Sequence, residues 1–193
     1  MCNGYHPKSW RKAIAIALWK PNKPDYSTPR AYRLITLLEC LDKVLEWIVA
    51  RHLIFLAGKF NLIPPNQFGG RSNSSTDDAI STFISDVQTA WNSGKVTSAL
   101  TFDIKGYFDF DNHDCLLYEL RRKNIPLEYI KWTASFLSDR EVSVCIDGQC
   151  GAMKPVQNGI PQGLPMSPIL ASFYSSELLE KLTIPPPSQP LAL

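Results

Sequence analysis

The 193-residue sequence lacks the features of a small metal-binding, disulfide-stabilised or membrane protein. Its five cysteines are scattered and odd in number, and none form a C-x-x-C pair. This spacing argues against a zinc knuckle and against a disulfide framework, so we expect buried free thiols in a reducing compartment. The longest apolar run near the N-terminus, residues 13–19, has about a third of the length of a membrane span. No small-residue cleavage site follows it. We therefore expect an intracellular, soluble chain with no membrane partner.

The sequence also has few charged residues and a low net charge. Only 20% of the residues are charged and the formal net charge is +2, whereas 45% are hydrophobic. The hydrophobic content is enough for one ordinary domain with a core. A nucleic-acid partner would favour a strong positive excess, but a basic face balanced by acidic residues elsewhere satisfies the same need. The net charge therefore neither requires nor excludes a nucleic-acid partner.

Apolar spacing predicts helices alternating irregularly with short strands, which favours an α+β fold over a doubly wound parallel sheet. The predicted helices span residues 37–57, 76–92, 113–123, 127–138 and 167–182. The predicted strands span 13–19 and 97–103, and a hairpin spans 141–156 around Asp147-Gly148. Four prolines and no apolar period predict a disordered tail over 183–193.

Carboxylates cluster where one predicted strand ends. Asp103 closes the apolar run 97–103, and three more aspartates follow at Asp109, Asp111 and Asp114. Nucleotidyl transfer uses acidic ligands of this kind to hold two divalent metals on rigid elements. A turn or a helix N-cap is the alternative role for Asp103, and it is the better interpretation of the other three.

A glycine- and proline-rich loop, residues 157–166, precedes the last predicted helix. Such a loop can present backbone donors to a phosphate or a template, although the same composition serves any turn. Together, Phe-Asp-Ile-Lys-Gly-Tyr-Phe-Asp (102–109) and Gly-Ile-Pro-Gln-Gly (159–163) resemble the reverse transcriptases of LINE-like, non-LTR retrotransposons. Segments 19–24 with 31–38 resemble the fingers motif of that family, and 66–80 resembles the segment after it.

The resemblance implies a truncated right-hand polymerase fold without a thumb. Residues 1–98 would be fingers-like, and 99–182 would be a partial palm. Asp103 would be the catalytic aspartate and a ligand of Mg²⁺, with the Ile104 backbone carbonyl as a second ligand. The residues that would contact the incoming nucleotide are Lys20, Arg33, Gly106, Tyr107, Phe108, Gln162 and Gly163.

In the same terms, Lys20 and Arg33 would reach the phosphates and the amides of Gly106 and Tyr107 would hold the triphosphate. Phe108 would be the aromatic gate against a ribose 2′-OH. Without the resemblance, Phe108 would be an ordinary core residue. The partners would be an RNA template, a DNA primer and a dNTP, with no small-molecule cofactor. Nuclear localisation is expected from the family alone.

The sequence departs from the family pattern in one major respect. No aromatic-x-Asp-Asp motif follows 167–182, and the only Asp-Asp pair, Asp77-Asp78, lies upstream of Asp103. Leu34 and Leu164 also replace a usual proline and serine. The resemblance therefore implies an incomplete two-metal site, a chain inactive on its own and an unpaired apolar flank on the strand ending at Asp103.

Two non-catalytic alternatives remain open. One is a nucleic-acid-binding fragment, which would need a continuous basic face built from Arg11, Lys12, Lys20, Lys23, Arg30, Arg33 and Arg71. The other is a protein-interaction fragment that pairs through the exposed palm edge. Salt dependence separates them, because phosphate binding weakens with salt and apolar pairing does not.

Overall fold

A computed structural model describes residues 4–71, 73–109 and 111–182 of the chain, and shows a mixed α/β fold. The strands are β1 (Lys12–Trp19), β2 (Tyr32–Leu37), β3 (Arg140–Ile146), β4 (Gln149–Cys150) and β5 (Lys154–Val156). The α-helices are α1 (Cys40–Lys59), α2 (Thr76–Asn92), α3 (His113–Arg122), α4 (Leu127–Leu137) and α5 (Ser167–Leu182). None of the described helices is long and apolar enough to cross a membrane.

The sheet is mixed and has β1 and β3 at its centre. β1 pairs with β2 in antiparallel and with β3 in parallel, while β4 and β5 pair with the other edge of β3. Along β1, Ala13, Ala15 and Ala17 are buried, whereas Ile14 and Ile16 are exposed. This is the two-residue alternation of a strand. The buried face of β1 thus carries only methyl groups, which leaves room above it.

The main core lies among the helices. Trp132 and Phe136 of α4 stack on each other, and Phe173 of α5 and Leu53 of α1 are fully buried in the same cluster. The helix starts follow local signals. The Asn112 side chain accepts from the amides of the first turn of α3, and Pro126 precedes α4. The predicted limits of 76–92 and 167–182 are confirmed.

The apolar spacing of residues 37–57 predicts a core face that includes Leu41, Val44, Ile48, Val49 and Leu53, and only the second half of that face is confirmed. Leu41, Val44 and Ile48 are exposed, whereas the buried face of the same stretch carries Asp42 and Glu46. Val49, Ala50 and Leu53 continue that buried face toward the helical core. The first half of α1 packs against a buried arginine and histidine from other elements, so its carboxylates face inward.

The predicted strand 97–103 is absent, and those residues have no regular structure. Leu100 and Phe102 are 78% and 76% exposed. Helix α2, directly before them, buries none of its residues, and its stripe of Ile80, Phe83, Ile84 and Trp91 is exposed. A strand forms only when a neighbour satisfies its backbone, and the described residues offer no such neighbour here.

The expectation of buried free thiols was also wrong. Cys145 and Cys150 form a disulfide between β3 and β4, because the hairpin places them directly opposite each other. Cys40 and Cys115 are free, but both are exposed. Cys2 and the tail predicted to be disordered, 183–193, lie outside the described residues.

Candidate functional site

The segment 102–109 and the glycine- and proline-rich loop 157–166 meet at Gly159. The Ile160 amide donates to the Phe108 carbonyl at 2.7 Å, and the Gly159 amide donates to the Asp111 carbonyl at 2.9 Å. The Gly159 carbonyl accepts a hydrogen bond from His113 Nε2 at 2.8 Å. Gly159 has a φ of +86°, and a Cβ there would lie 2.7 Å from the Asp109 carbonyl oxygen. Only glycine fits, so this residue joins the two segments.

The loop of residues 157–166, here called the Pro-Gln-Gly loop, also attaches to the sheet. The Thr36 amide of β2 donates to the Gln162 carbonyl at 3.0 Å. Gly163 has a φ of +93°, and a Cβ there would lie 3.1 Å from Ile35 Cγ2. At the end of the loop, the Ser167 hydroxyl donates to the Pro161 carbonyl. The loop is therefore held between the sheet and the segment that contains Phe108.

A cavity of about 160 Å³ lies where these parts converge. Its floor is the methyl face of β1, with Leu34 and Thr36 on one side and Arg140 on another. Phe108 and Gln162 complete the wall. Two of the nucleotide-contacting residues predicted from the resemblance thus line one cavity, although they are 54 positions apart in the sequence.

The turn that carries Phe108 is fixed by hydrogen bonds within the turn and to α5. Gly106 has a φ of +65°, and its carbonyl accepts from the Asp109 amide at 2.9 Å. The Tyr107 hydroxyl donates to the Ala171 carbonyl of α5 at 2.7 Å. The Phe108 ring is half-buried and meets the Tyr107 ring edge-on, with 5.2 Å between the centroids. Phe108 therefore both packs on the core and borders the cavity.

Asp111 is the buried carboxylate of this region. Burial, together with the charge of Asp109, raises the pKa of Asp111 to about 6. Its carbonyl holds Gly159, so the residue fixes the junction through its backbone. From its sequence position, Asp111 was expected only to serve a turn or a helix N-cap. The nearest local signal that could have pointed to the junction is the Asn-Gly pair at 158–159.

Asp103 and Ile104 lie outside the cavity. Both are exposed and belong to the stretch without regular structure, although Ile104 reaches a groove beside Tyr107 and Pro168. Among the described residues, no group of three or more histidine, cysteine or carboxylate side chains is placed to hold a metal ion. One exposed carboxylate does not fit a two-metal site, which needs several oxygen ligands on rigid elements.

The predicted phosphate-binding cations differ in their surroundings. The Lys20 ammonium donates to the Arg30 carbonyl at 3.1 Å, while Arg33 is exposed on β2. Neither residue lines the cavity that contains Phe108 and Gln162.

The predicted basic face has fewer free cations than the sequence implied. Arg11 is 4% exposed and bonds to Asp139 at 3.2 Å, and Lys12 pairs with Glu141 at 3.4 Å. Arg71 donates to the Pro65 carbonyl at 3.2 Å. These three cations already have partners inside the chain.

Comparison with known proteins covers the part of the chain that contains this junction. The family model described as reverse transcriptase (RNA-dependent DNA polymerase) matches residues 20–184, which include both segments and the sheet edge beside them. The chain belongs to the reverse transcriptase family. The similar proteins are polymerases of non-LTR retrotransposons, as the motif order predicted.

Three relatives illustrate the match. The RNA-directed DNA polymerase from mobile element jockey of Drosophila melanogaster is 30% identical over 91% of this chain and 19% of its own length. A probable RNA-directed DNA polymerase from transposon BS of the same fly is 29% identical over 90% of this chain and 19% of its own length. The Pol polyprotein from retrotransposable element R1 of Bradysia coprophila is 29% identical over 93% of this chain and 17% of its own. The chain thus spans about a fifth of the length of these relatives.

Proposed function

We propose that these residues form the nucleotide-facing part of an RNA-directed DNA polymerase domain, fingers-like over 1–98 and palm-like over 99–182. The junction of Gly159 and Ile160 with Phe108 and Asp111, beside the sheet edge, carries this proposal. It brings Phe108, the predicted aromatic gate, and Gln162, a predicted nucleotide-contacting residue, to one cavity. The partners would be an RNA template, a DNA primer and a dNTP.

The proposed roles follow the surroundings of each residue. Phe108 would present its ring to the sugar, because the ring is held by Tyr107 and by the backbone bond to Ile160. Gln162 and Gly163 would face the base or the template, since backbone contacts to β2 fix them there. Gly106 and Tyr107 would offer their amides to phosphate, and Lys20 and Arg33 would add positive charge after rearrangement.

We further propose that the 193 residues alone do not polymerise DNA. Mg²⁺ in such a polymerase would activate the attacking hydroxyl and neutralise charge on the transferred phosphate. Asp103 and the Ile104 carbonyl would contribute to its binding. Because no further carboxylate joins Asp103 among the described residues, the metal site is incomplete in these residues by themselves.

A primer-extension assay tests the proposal. The chain, at micromolar concentration with Mg²⁺ or Mn²⁺, should incorporate no labelled dTTP on an oligo(rA) template with an oligo(dT) primer. Binding of dTTP should still be measurable by titration calorimetry and should weaken at least about threefold in Gln162→Ala. Template-dependent incorporation that disappears in Asp103→Ala would show that the chain is active alone. Unchanged dTTP binding in Gln162→Ala would remove the cavity as the nucleotide site.

One specific observation favours a protein-interaction function as the second candidate. Helix α2 exposes an apolar stripe along its whole length and carries Asp77, Asp78 and Asp86 but no lysine or arginine. Binding of a protein to this surface would persist at 0.5 M salt, whereas binding of nucleic acid through phosphates would fall steeply.

A further inference from the structure

Three cations of the predicted basic face belong to the connection between β1 and β2, residues 20–31. Lys23 and Arg30 are exposed, and neither forms an ion pair with a described carboxylate. The Lys20 ammonium donates to the Arg30 carbonyl, so these two residues lie next to each other. Asp25 is the one acidic residue of the connection. The connection is therefore an exposed surface with an excess of positive charge, which attracts a polyanion.

Three aromatic side chains, here called the aromatic platform, stand beside these cations. They are Trp19, Tyr26 and Tyr32. The Trp19 and Tyr26 rings are tilted by 34° to each other, with 5.1 Å between their centroids. The Tyr32 ring meets both rings edge-on, at 6.4 Å from Trp19 and 6.3 Å from Tyr26. Trp19 is nevertheless 61% exposed, so the side of the indole that Tyr26 does not cover is open to solvent.

Hydrogen bonds hold the aromatic platform in place. The Tyr26 hydroxyl donates to the Lys20 carbonyl at 2.8 Å, and the Tyr32 hydroxyl donates to the Tyr26 carbonyl at 3.0 Å. The Lys23 amide donates to the Tyr26 hydroxyl at 3.4 Å, which places Lys23 beside the rings. The Lys20 amide donates to the Ala31 carbonyl at 2.8 Å and closes the connection. The rings are thus oriented without a ligand, which lowers the conformational entropy that binding would cost.

The aromatic platform lies on the same face of the sheet as the cavity. Trp19 pairs with Tyr32, and the next two pairs on that face are Ala17 with Leu34 and Ala15 with Thr36. Ala15, Leu34 and Thr36 line the cavity. At about 3.3 Å per strand residue, Trp19 lies about 13 Å from Ala15, which is the length of about four nucleotides in a single strand. Arg33 pairs with Leu18 and therefore belongs to the opposite face.

Aromatic rings beside cations form the combination that binds single-stranded nucleic acid, because every base has a π-face and every nucleotide carries a phosphate. We propose that the aromatic platform stacks an unpaired base of a single strand, with Trp19 as the main contact and Lys20, Lys23 and Arg30 near the phosphates. The inference deepens the proposed function and rests on it for the class of ligand, which would be the template strand leading away from the cavity.

Fluorescence anisotropy of a labelled oligo(dT) of about 12 nucleotides, mixed with the full chain at low salt, tests the proposal. The mixture contains no dNTP and no divalent metal. The wild-type chain should bind oligo(dT) at least about fivefold more tightly than an abasic strand of equal length and charge. This comparison requires no variant to fold. Equal affinity for the two strands would mean that only phosphates are bound, and it would overturn the proposal.

Substitutions at Trp19 locate the contact. Trp19→Ala should weaken binding of oligo(dT) at least about fivefold, whereas Trp19→Phe keeps a ring and should stay within about twofold of wild type. Trp91→Ala is the matched control, since Trp91 is 65% exposed but lies on helix α2, which carries no lysine or arginine. That variant should bind as wild type does. Equal losses in Trp19→Ala and Trp91→Ala would overturn the assignment to the aromatic platform.

Salt dependence tests the part of the cations. Lys23→Gln should weaken binding of both strands alike and reduce the slope of log affinity against log salt by about 1. Lys59→Gln, at an exposed site at the end of α1, should leave that slope unchanged. Binding that does not fall with salt would indicate an apolar contact and would overturn the proposal.

The assay separates this inference from the proposed nucleotide site. A chain that binds dTTP in a manner dependent on Gln162 but does not bind oligo(dT) would overturn only the aromatic platform. A chain that binds oligo(dT) through Trp19 but does not bind dTTP would support the platform and remove only the cavity as the nucleotide site.

Discussion

At the scale of single residues, Gly159 is the position on which the site depends most. Its positive φ and its close approach to two carbonyl oxygens explain why an Asn-Gly pair stands in the loop. The motif order revealed that the segments around Phe108 and Gln162 belong together. It did not reveal that a backbone contact at Gly159 joins them, because a glycine alone does not show what approaches it.

Gly159→Ala should lower the free energy of unfolding by about 2–4 kcal/mol, because strain from a positive φ adds to the clash with the Asp109 and Phe108 carbonyls. Gly94→Ala is the matched control, since Gly94 has a φ of +70° but nothing within 4 Å of the added methyl. That variant should lose only about 1 kcal/mol. Urea unfolding measures both. Equal losses would mean that the carbonyl contacts at Gly159 do not constrain the loop.

At the scale of elements, helices were predicted far better than strands. The start of α2 follows from Ser75 and Asp78, whose side chains each bond the other's backbone amide, and such signals are local. Residues 97–103 have the composition of a strand, yet a strand depends on a distant partner that composition cannot supply. The part of the buried face of α1 that carries Asp42 and Glu46 was missed for a related reason, since only tertiary contacts explain why these side chains point inward.

Helix α2 offers a test of how stable a helix is when none of its side chains packs against the core. Because it buries no residue, its caps and its intrinsic propensity should decide its helicity. Ser75→Ala should reduce the protection of the α2 amides by about fivefold, equivalent to roughly 1 kcal/mol, without changing global unfolding. Ser81→Ala, on the same exposed helix, should increase that protection, since alanine is the better helix former. Hydrogen exchange would contradict this account if both variants acted in the same direction.

At the scale of the whole molecule, two regions differ in how far their apolar side chains are buried. The helical core is closed, and Leu120, Trp132 and Phe173 are fully buried there. The stretch from α2 to Ile104 presents apolar side chains to solvent instead, with Val96 at 96% exposure. Exposed apolar side chains in this number favour association. The family to which the chain belongs was readable from motif order, and an unpaired apolar flank near Asp103 was expected from the resemblance. The exposure of the whole stretch from α2 to Ile104 was not, because it follows from the missing strand and from the lack of packing against α2.

The chain should therefore self-associate as its concentration rises and should bind an apolar dye such as ANS. The double variant Leu100→Ser, Phe102→Ser should reduce both effects and leave the free energy of unfolding within about 0.5 kcal/mol of wild type, because both side chains are over three-quarters exposed. Leu120→Ser is the control: at a fully buried site it should lower that free energy by about 3 kcal/mol. Sedimentation velocity and dye fluorescence measure the outcome. If the double variant associates as strongly as wild type, the exposed stretch before Asp103 is not the surface that drives association, and the stripe on α2 becomes the surface to alter next.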